Sequence, residues 1–117
     1  MENTPLIGPH EGRELALMLA GQKRLALFEQ GMMPEAFAEY LAQGRFMVCK
    51  FYPIPDMDYH GLIVYTPDAE DDAKRLQALL LGSVGRGFQE TVEREIGRLL
   101  GYREIEIQAY IDKMKQR

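Results

Sequence analysis

Residues 45–66 read RFMVCKFYPIPDMDYHGLIVYT, and this stretch decides the fold. Two runs rich in apolar, β-branched and aromatic residues flank a bend that contains two prolines and two aspartates. Such runs are typical of β-strands, and proline interrupts strand pairing because it has no backbone N–H to donate. The stretch therefore predicts two paired strands joined by a six-residue bend, Pro53 to Asp58.

Both predicted strands are apolar on both faces. Successive side chains of a strand point to opposite faces, so a hairpin with one solvated face alternates apolar and polar residues. The run FMVCKFY departs from that alternation, with Lys50 as its one charged residue, and the run GLIVY has none. We therefore expect helices, a partner chain, or both to cover the two faces.

The rest of the chain predicts helices around one further strand. Residues 24–28, RLALF, lie between Gly21 and Gly31 and are too few for a helix, so they predict a strand. Apolar residues at i, i+3 and i+4 predict five helices, the first opening at Gly8-Pro9 and the second at Pro34. The order α-β-α-β-β-α-α-α predicts an α+β fold, a three-stranded sheet with helices packed on it, in a single domain spanning residues 1–117. The first two strands could run parallel through a crossover.

Composition indicates which cellular compartment and which class of partner we expect. The chain has 117 residues, a net charge of -4 and one cysteine, Cys49, so an intramolecular disulfide is excluded. A lone thiol is typical of a reducing compartment, and no signal peptide or membrane-length apolar run is visible, so we expect a cytoplasmic protein without a membrane span. The acidic balance argues against a nucleic-acid partner, although a patch of Arg13, Lys23, Arg24 and Arg45 would be the place for one.

The bend and its flanks form the principal candidate site. Tyrosine and methionine offer adaptable contact area, and aspartates would favour a basic partner. The predicted protein-binding residues are Tyr52, Asp56, Met57, Asp58, Tyr59 and His60. The alternative is an ordinary solvated loop whose aspartates favour turns. The pair Met32-Met33 is a second apolar spot, which fits either a contact surface or a staple over the second helix.

A glycine-rich connector, GSVGRG at residues 82–87, is a weaker candidate for anion binding. Backbone N–H groups at a helix N-terminus bind anions, and Gly85, Arg86 and Gly87 would supply N–H groups and a cation. However, a phosphate-binding loop follows a strand and ends in Gly-Lys-Ser/Thr, whereas this connector follows a helix. A flexible joint between two helices is the stronger interpretation.

The sequence offers no catalytic constellation, metal-ligand spacing or cofactor motif. Cys49 and His60 could meet across the hairpin as a nucleophilic pair, but a third member is not visible. The leading hypothesis is a small, non-enzymatic protein-binding module of adaptor, immunity or inhibitor type, whose partner is another protein or a second copy. The alternative is a small-ligand-binding or enzyme domain, with a pocket between sheet and helices where Cys49, Lys50, His60 and Arg86 converge.

Overall fold

The structure is a computed structural model, and it describes residues 10–116. Three strands, β1 (Leu25–Glu29), β2 (Met47–Phe51) and β3 (Gly61–Tyr65), form one antiparallel sheet in the order β1-β3-β2. Five α-helices surround it in this part of the chain, so the predicted α+β fold is confirmed. Their bounds are α1 Glu14–Leu19, α2 Ala38–Ala42, α3 Glu70–Gly82, α4 Glu90–Leu99 and α5 Glu104–Lys115.

The centre of the sheet is β3, which pairs with both other strands. Leu27 and Cys49 both lie opposite Ile63, so one residue of β3 aligns with one residue on each side. Strands β1 and β2 run in the same direction, as the predicted crossover requires, but β3 lies between them. The predicted first strand, residues 24–28, is shifted by one position, since β1 is Leu25–Glu29.

One face of the sheet packs against α3. Leu25, Phe51 and Ile63 form a buried cluster with Ala73 and Leu76, which lie one turn apart on that helix. The negative charge of Glu70, Asp71 and Asp72 in the first turn of α3 favours its N-terminus. This cluster fixes α3 against the middle of the sheet.

The opposite face packs against the first half of the chain. Ala26, Phe28 and Val64 contact Met18 of α1 and Phe37 of the 3₁₀ turn that precedes α2. The rings of Phe28 and Phe37 meet edge to face, with centroids 5.4 Å apart. Both faces of β3 are therefore covered, as expected.

Within the described chain, helices do not cover the start of β2. Met47 and Val48 are 43% and 46% exposed, and Lys50 is exposed as well. The buried helical residues pack over β1, β3 and the last residue of β2, so the start of this edge strand has no cover from the described part of the chain. The apolar character of β2 thus leaves a bare patch on the surface.

The helices are shorter than the sequence predicted. Residues 10–13 form turns and α1 begins at Glu14; the predicted start at Gly8-Pro9 lies outside the described residues. The helix predicted from Pro34 is a 3₁₀ turn, Glu35–Phe37, followed by α2. Short helices of this kind depend on packing against the sheet. An isolated helix of one or two turns forms too few hydrogen bonds to offset the free energy of nucleation.

The contact between Gly61 and Phe51 gives a direct test of the β2–β3 register. A Cβ at Gly61 would lie 2.5 Å from Cζ of the buried Phe51 ring, which is far inside van der Waals contact. We expect Gly61→Ala to destabilise the protein by about 1–3 kcal/mol, because the ring or the strand has to move. Urea unfolding monitored by circular dichroism measures this change.

The matched control is Gly82→Ala at the end of α3, where no atom lies within 4 Å of the added Cβ. This substitution should leave stability unchanged or raise it by up to about 1 kcal/mol, because alanine favours a helix over glycine. Equal stability of Gly61→Ala and the wild type would contradict the register.

Candidate functional site

The bend between β2 and β3 lies on the surface, and its apolar side chains are exposed. Tyr52 and Met57 are 53% and 54% exposed, and Ile54 and Tyr59 are also largely open to solvent. Prolines at positions 53 and 55 keep the segment out of the sheet, and Asp56 has a φ of 66°, in the left-handed region. The bend therefore presents contact area that the fold itself does not use.

Several contacts fix the base of this bend. The backbone N–H of Gln30 donates to the carbonyl of His60 at 3.1 Å, and the N–H of His60 faces Oε1 of Gln30 at 3.4 Å. The rings of Tyr52 and His60 lie 5.7 Å apart, which ties the two sides of the bend together. The exposed side chains are consequently carried by a braced segment.

The two aspartates of the bend face solvent. Asp56 and Asp58 are exposed, and the described residues provide neither carboxylate with an ion-pair partner. Next to them, desolvation raises the pKa of the Tyr59 phenol, and the Glu29 carboxylate raises it further. This side of the bend is accordingly acidic and open to a cationic group.

The glycine-rich connector leads from α3 to α4 and is exposed throughout positions 84–87. Gly85 and Gly87 have φ values of 76° and 70°, and the N–H of Arg86 donates to the carbonyl of Ser83 at 3.1 Å. The first turn of α4 already carries Glu90, which accepts bonds from Arg94 and Lys115. Two cations balance the charge of that carboxylate, and anion binding at Gly85, Arg86 and Gly87 stays a prediction.

The side chains proposed for an enzymatic pocket do not assemble. Cys49 and Lys50 are neighbours in β2 and point to opposite faces. The Cys49 thiol donates to Oε1 of Gln77 on α3 at 3.0 Å, whereas Nδ1 of His60 lies 3.2 Å from the carbonyl of Asp58 in the bend. Arg86 lies in the exposed connector between α3 and α4.

A different polar cluster is buried where residues 10–23 meet the α4–α5 joint. Lys23 is 3% exposed and His10 is 6% exposed. The Lys23 ammonium donates to Nδ1 of His10 at 3.0 Å and to the carbonyl of Leu100. The His10 ring stacks on Tyr102 with centroids 4.0 Å apart, and its Nε2 lies 4.0 Å from Oε1 of Glu106.

Burial shifts the protonation of this cluster. Desolvation, helped by the neighbouring Lys23 cation, lowers the pKa of His10 to about 4, so the imidazole is neutral at pH 7. Desolvation also lowers the pKa of Lys23 to about 8, against the opposing pull of Glu14 and Glu106. Because Nδ1 accepts from Lys23, the ring proton resides on Nε2 and points toward Glu106.

A cleft of about 300 Å³ lies beside this cluster. Its lining carries charges of both signs, with the ion pair between Arg24 and Asp72 at 3.1 Å on one side and Glu95 and Arg98 on the other. The full lining is Gly21, Gln22, Lys23, Arg24, Leu25, Asp72, Glu95, Arg98, Leu99 and Gly101. Perturbed pKa values next to a cleft are typical of binding sites as well as of structural clusters.

Sequence reasoning missed this cluster because its members are far apart along the chain. His10 and Lys23 come from the first fifth of the sequence, and Tyr102 and Glu106 from the last. Lys23 instead entered the hypothetical nucleic-acid patch, where it cannot serve, since its ammonium is buried. A lysine directly before a strand does not signal burial by itself.

No helix within residues 10–116 combines the length and apolar character that a membrane crossing requires. In the same residues, no three His, Cys, Asp or Glu side chains are arranged to hold a metal ion.

The neutral state of His10 predicts a pH dependence of stability. The unfolded chain binds a proton at His10 near pH 6.5, whereas the folded protein binds it only near pH 4. The unfolded state therefore gains stability as the pH falls between these values, and we expect the free energy of unfolding to drop by up to about 3 kcal/mol.

Chemical denaturation from pH 7 to pH 4 measures this loss. His10→Gln should remove most of the slope, because glutamine does not titrate, whereas His60→Gln should retain it. A wild-type stability that stays flat over this range would contradict the buried, neutral imidazole.

Comparison with known proteins identifies a shared fold. No family model matches the sequence, and no curated protein matches it. The structure is similar to the crystal structure of the bacterial cysteine methyltransferase effector NleE, with a TM-score of 0.65 and 17% sequence identity. The likeness covers 93% of this chain and 62% of that protein, so the chain spans less than two thirds of its length. At this identity the likeness establishes the fold alone.

Proposed function

We propose that this protein is a small, non-enzymatic protein-binding module of the cytoplasm, and that it contacts its partner through the bend at residues 52–60. One observation carries the proposal: exposed aromatic and methionine side chains stand on a braced bend beside two aspartates that have no partner among residues 10–116. Adaptor, immunity and inhibitor proteins work through surfaces of this kind. The partner is another protein, with a second copy as the alternative.

The physical reason is that a braced loop loses little entropy on binding. The hydrogen bonds between Gln30 and His60 and the contact between Tyr52 and His60 hold the backbone of the bend in place. Burying tyrosine and methionine then yields binding free energy with a small ordering cost. Asp56 and Asp58 add selectivity for a basic partner, because a wrong partner would leave their charges buried and unpaired.

The cytoplasmic location is supported by the state of the single thiol. Cys49 is half-buried and donates to Gln77, so it serves as a hydrogen-bonding side chain of the α3 contact. A chain whose one cysteine acts in this way is suited to a compartment that keeps thiols reduced.

The proposal predicts that one substitution in the bend abolishes partner capture. We expect Met57→Asp, in a tagged full-length chain used as bait in extracts of the source organism, to lose about tenfold or more of the partner that the wild type retains. Quantitative mass spectrometry of the retained proteins provides the measurement.

The control is Ile105→Asp on α5, which changes a side chain that is 71% exposed and lies outside the bend. It should retain the partner, and circular dichroism should show that both variants fold. If Met57→Asp and Ile105→Asp retain the same proteins as the wild type, the bend is not the binding surface.

The second candidate is a small-ligand-binding or enzymatic domain. The observation that favours it is the cleft beside Lys23, whose charged lining of Arg24, Asp72, Glu95 and Arg98 could hold a ligand of mixed charge. The similar fold of NleE, named as a cysteine methyltransferase, makes a methyl donor the reasonable probe.

Titration with S-adenosylmethionine separates the two candidates. The non-enzymatic proposal predicts no change in the melting temperature at millimolar ligand, because a ligand stabilises a protein only when it binds the folded state. A rise of several degrees that Arg98→Gln removes would favour the second candidate and contradict the first.

A further inference from the structure

The two ends of the sheet carry different kinds of loops. Glu29 and Phe51 both lie opposite Gly61, so the ends of β1 and β2 and the start of β3 lie at one end. The segments that follow β1 and precede β3 therefore leave the sheet side by side. The hydrogen bond between Gln30 and His60 confirms that they meet.

The connector between α3 and α4 also reaches this end. The contact between Cys49 and Gln77 sets α3 beside β2, and Leu80 packs against the cluster that contains Phe51. From that contact α3 continues about 7 Å to Gly82, while β2 continues about 10 Å to the bend. Since α3 starts just after the far end of β3 and packs back along the sheet, both run toward the same end.

Exposed apolar side chains concentrate on this end, which we name the loop end and define as residues 30–33, 52–60 and 81–88. Of the thirteen large apolar side chains that are exposed in the described chain, eight belong to it. Met32, at 66%, and Val84, at 48%, are exposed examples outside the bend itself.

The loops at the opposite end provide the contrast. Four connecting segments lie at that end, and none of the thirteen side chains belongs to them. These segments are residues 20–24, 43–46, 66–69 and 100–103. Phe46, Ala69 and Leu100 in these segments are buried, whereas Ala20 is exposed and Tyr102 is partly buried. Leu19, Met47 and Val48 are the exposed apolar side chains next to these loops, so the opposite end carries a smaller apolar surface than the loop end.

The charges at the loop end decide the class of partner. Glu29, Asp56 and Asp58 give this end an acidic side, and its cations are Arg86 and the exposed Lys50, which lies one residue before the end of β2. An anionic membrane surface would repel these carboxylates. A protein surface with an apolar centre and lysine or arginine at its edge complements them.

We propose that the three segments of the loop end act together as one docking surface, and that its occupant is a protein with an apolar patch bordered by basic residues. The inference rests on the proposed function and extends it. The bend supplies the acidic part of the surface, and the segment 81–88 supplies apolar contacts through Leu81, Val84 and Phe88. The glycine-rich connector thus has a role in protein contact, separate from anion binding.

Site-specific photo-crosslinking in cells of the source organism tests this proposal. A benzophenone amino acid replaces Met57 in one full-length variant and Val84 in another, and Ile105 in the control. We expect the first two to yield an adduct to the same protein and the control to yield none. Asp56→Lys together with Asp58→Lys should lower both adducts about tenfold, because the basic edge of the partner is then repelled.

The outcomes distinguish a failure of the three-segment surface from a failure of the proposed function. An adduct from Met57 without the same adduct from Val84 would overturn the composite surface and leave the proposed function standing. No adduct from either position would overturn both. An adduct of twice the chain mass would identify a second copy and contradict a basic partner. We expect the protein not to co-sediment with phosphatidylglycerol vesicles. Co-sedimentation would contradict a protein partner and would indicate that a membrane occupies the loop end.

Discussion

The pairing of β3 with a strand on each side is the constraint on which the rest of the structure depends. Ile63 and Val64 are fully buried on opposite faces, so each face of this strand requires its own layer of cover. Burying one such side chain contributes about 2 kcal/mol, which makes a bare face costly. The need is met by α3 on one side and by α1 with the turn around Phe37 on the other.

This arrangement determines where binding surfaces can lie. The helices pack over β3 and β1, so the start of β2 and loops at the ends of the sheet stay exposed. One end holds the buried cluster of His10, Lys23 and Tyr102 and a charged cleft. The other end presents apolar loops beside Asp56 and Asp58, which have no ion-pair partner among residues 10–116. The proposed protein contact and the rival ligand site thus lie at opposite ends of the sheet.

Local sequence predicted the elements well, because their signals are local. The runs at residues 45–52 and 59–66 have strand composition with prolines between them, and the structure has both strands and the bend. The cover of β2 could not be predicted in the same way. An apolar edge strand and an apolar central strand have the same composition, and only the strand order, with β3 in the middle, distinguishes Val48 from Val64.

The candidate sites also differ in whether local sequence predicts them. Exposure of Tyr52, Met57 and the two aspartates follows from the prolines that force the bend out of the sheet. The pairing of His10 with Lys23 and their contact with Tyr102 depend on how the ends of the chain meet, which no short motif records. Likewise, the proximity of the bend and the connector follows from the direction of α3, not from their spacing in the sequence.

Amide hydrogen exchange measured by NMR tests the central claim most directly. With β3 bonded on both sides, the amides of Leu62, Ile63 and Val64 should be among the slowest to exchange, near the limit set by global unfolding. The amides of residues 54–58 and 84–87, which lie outside the strands and helices, should exchange much faster than those of β3. Exchange of the β3 amides as fast as those of the bend would contradict the account.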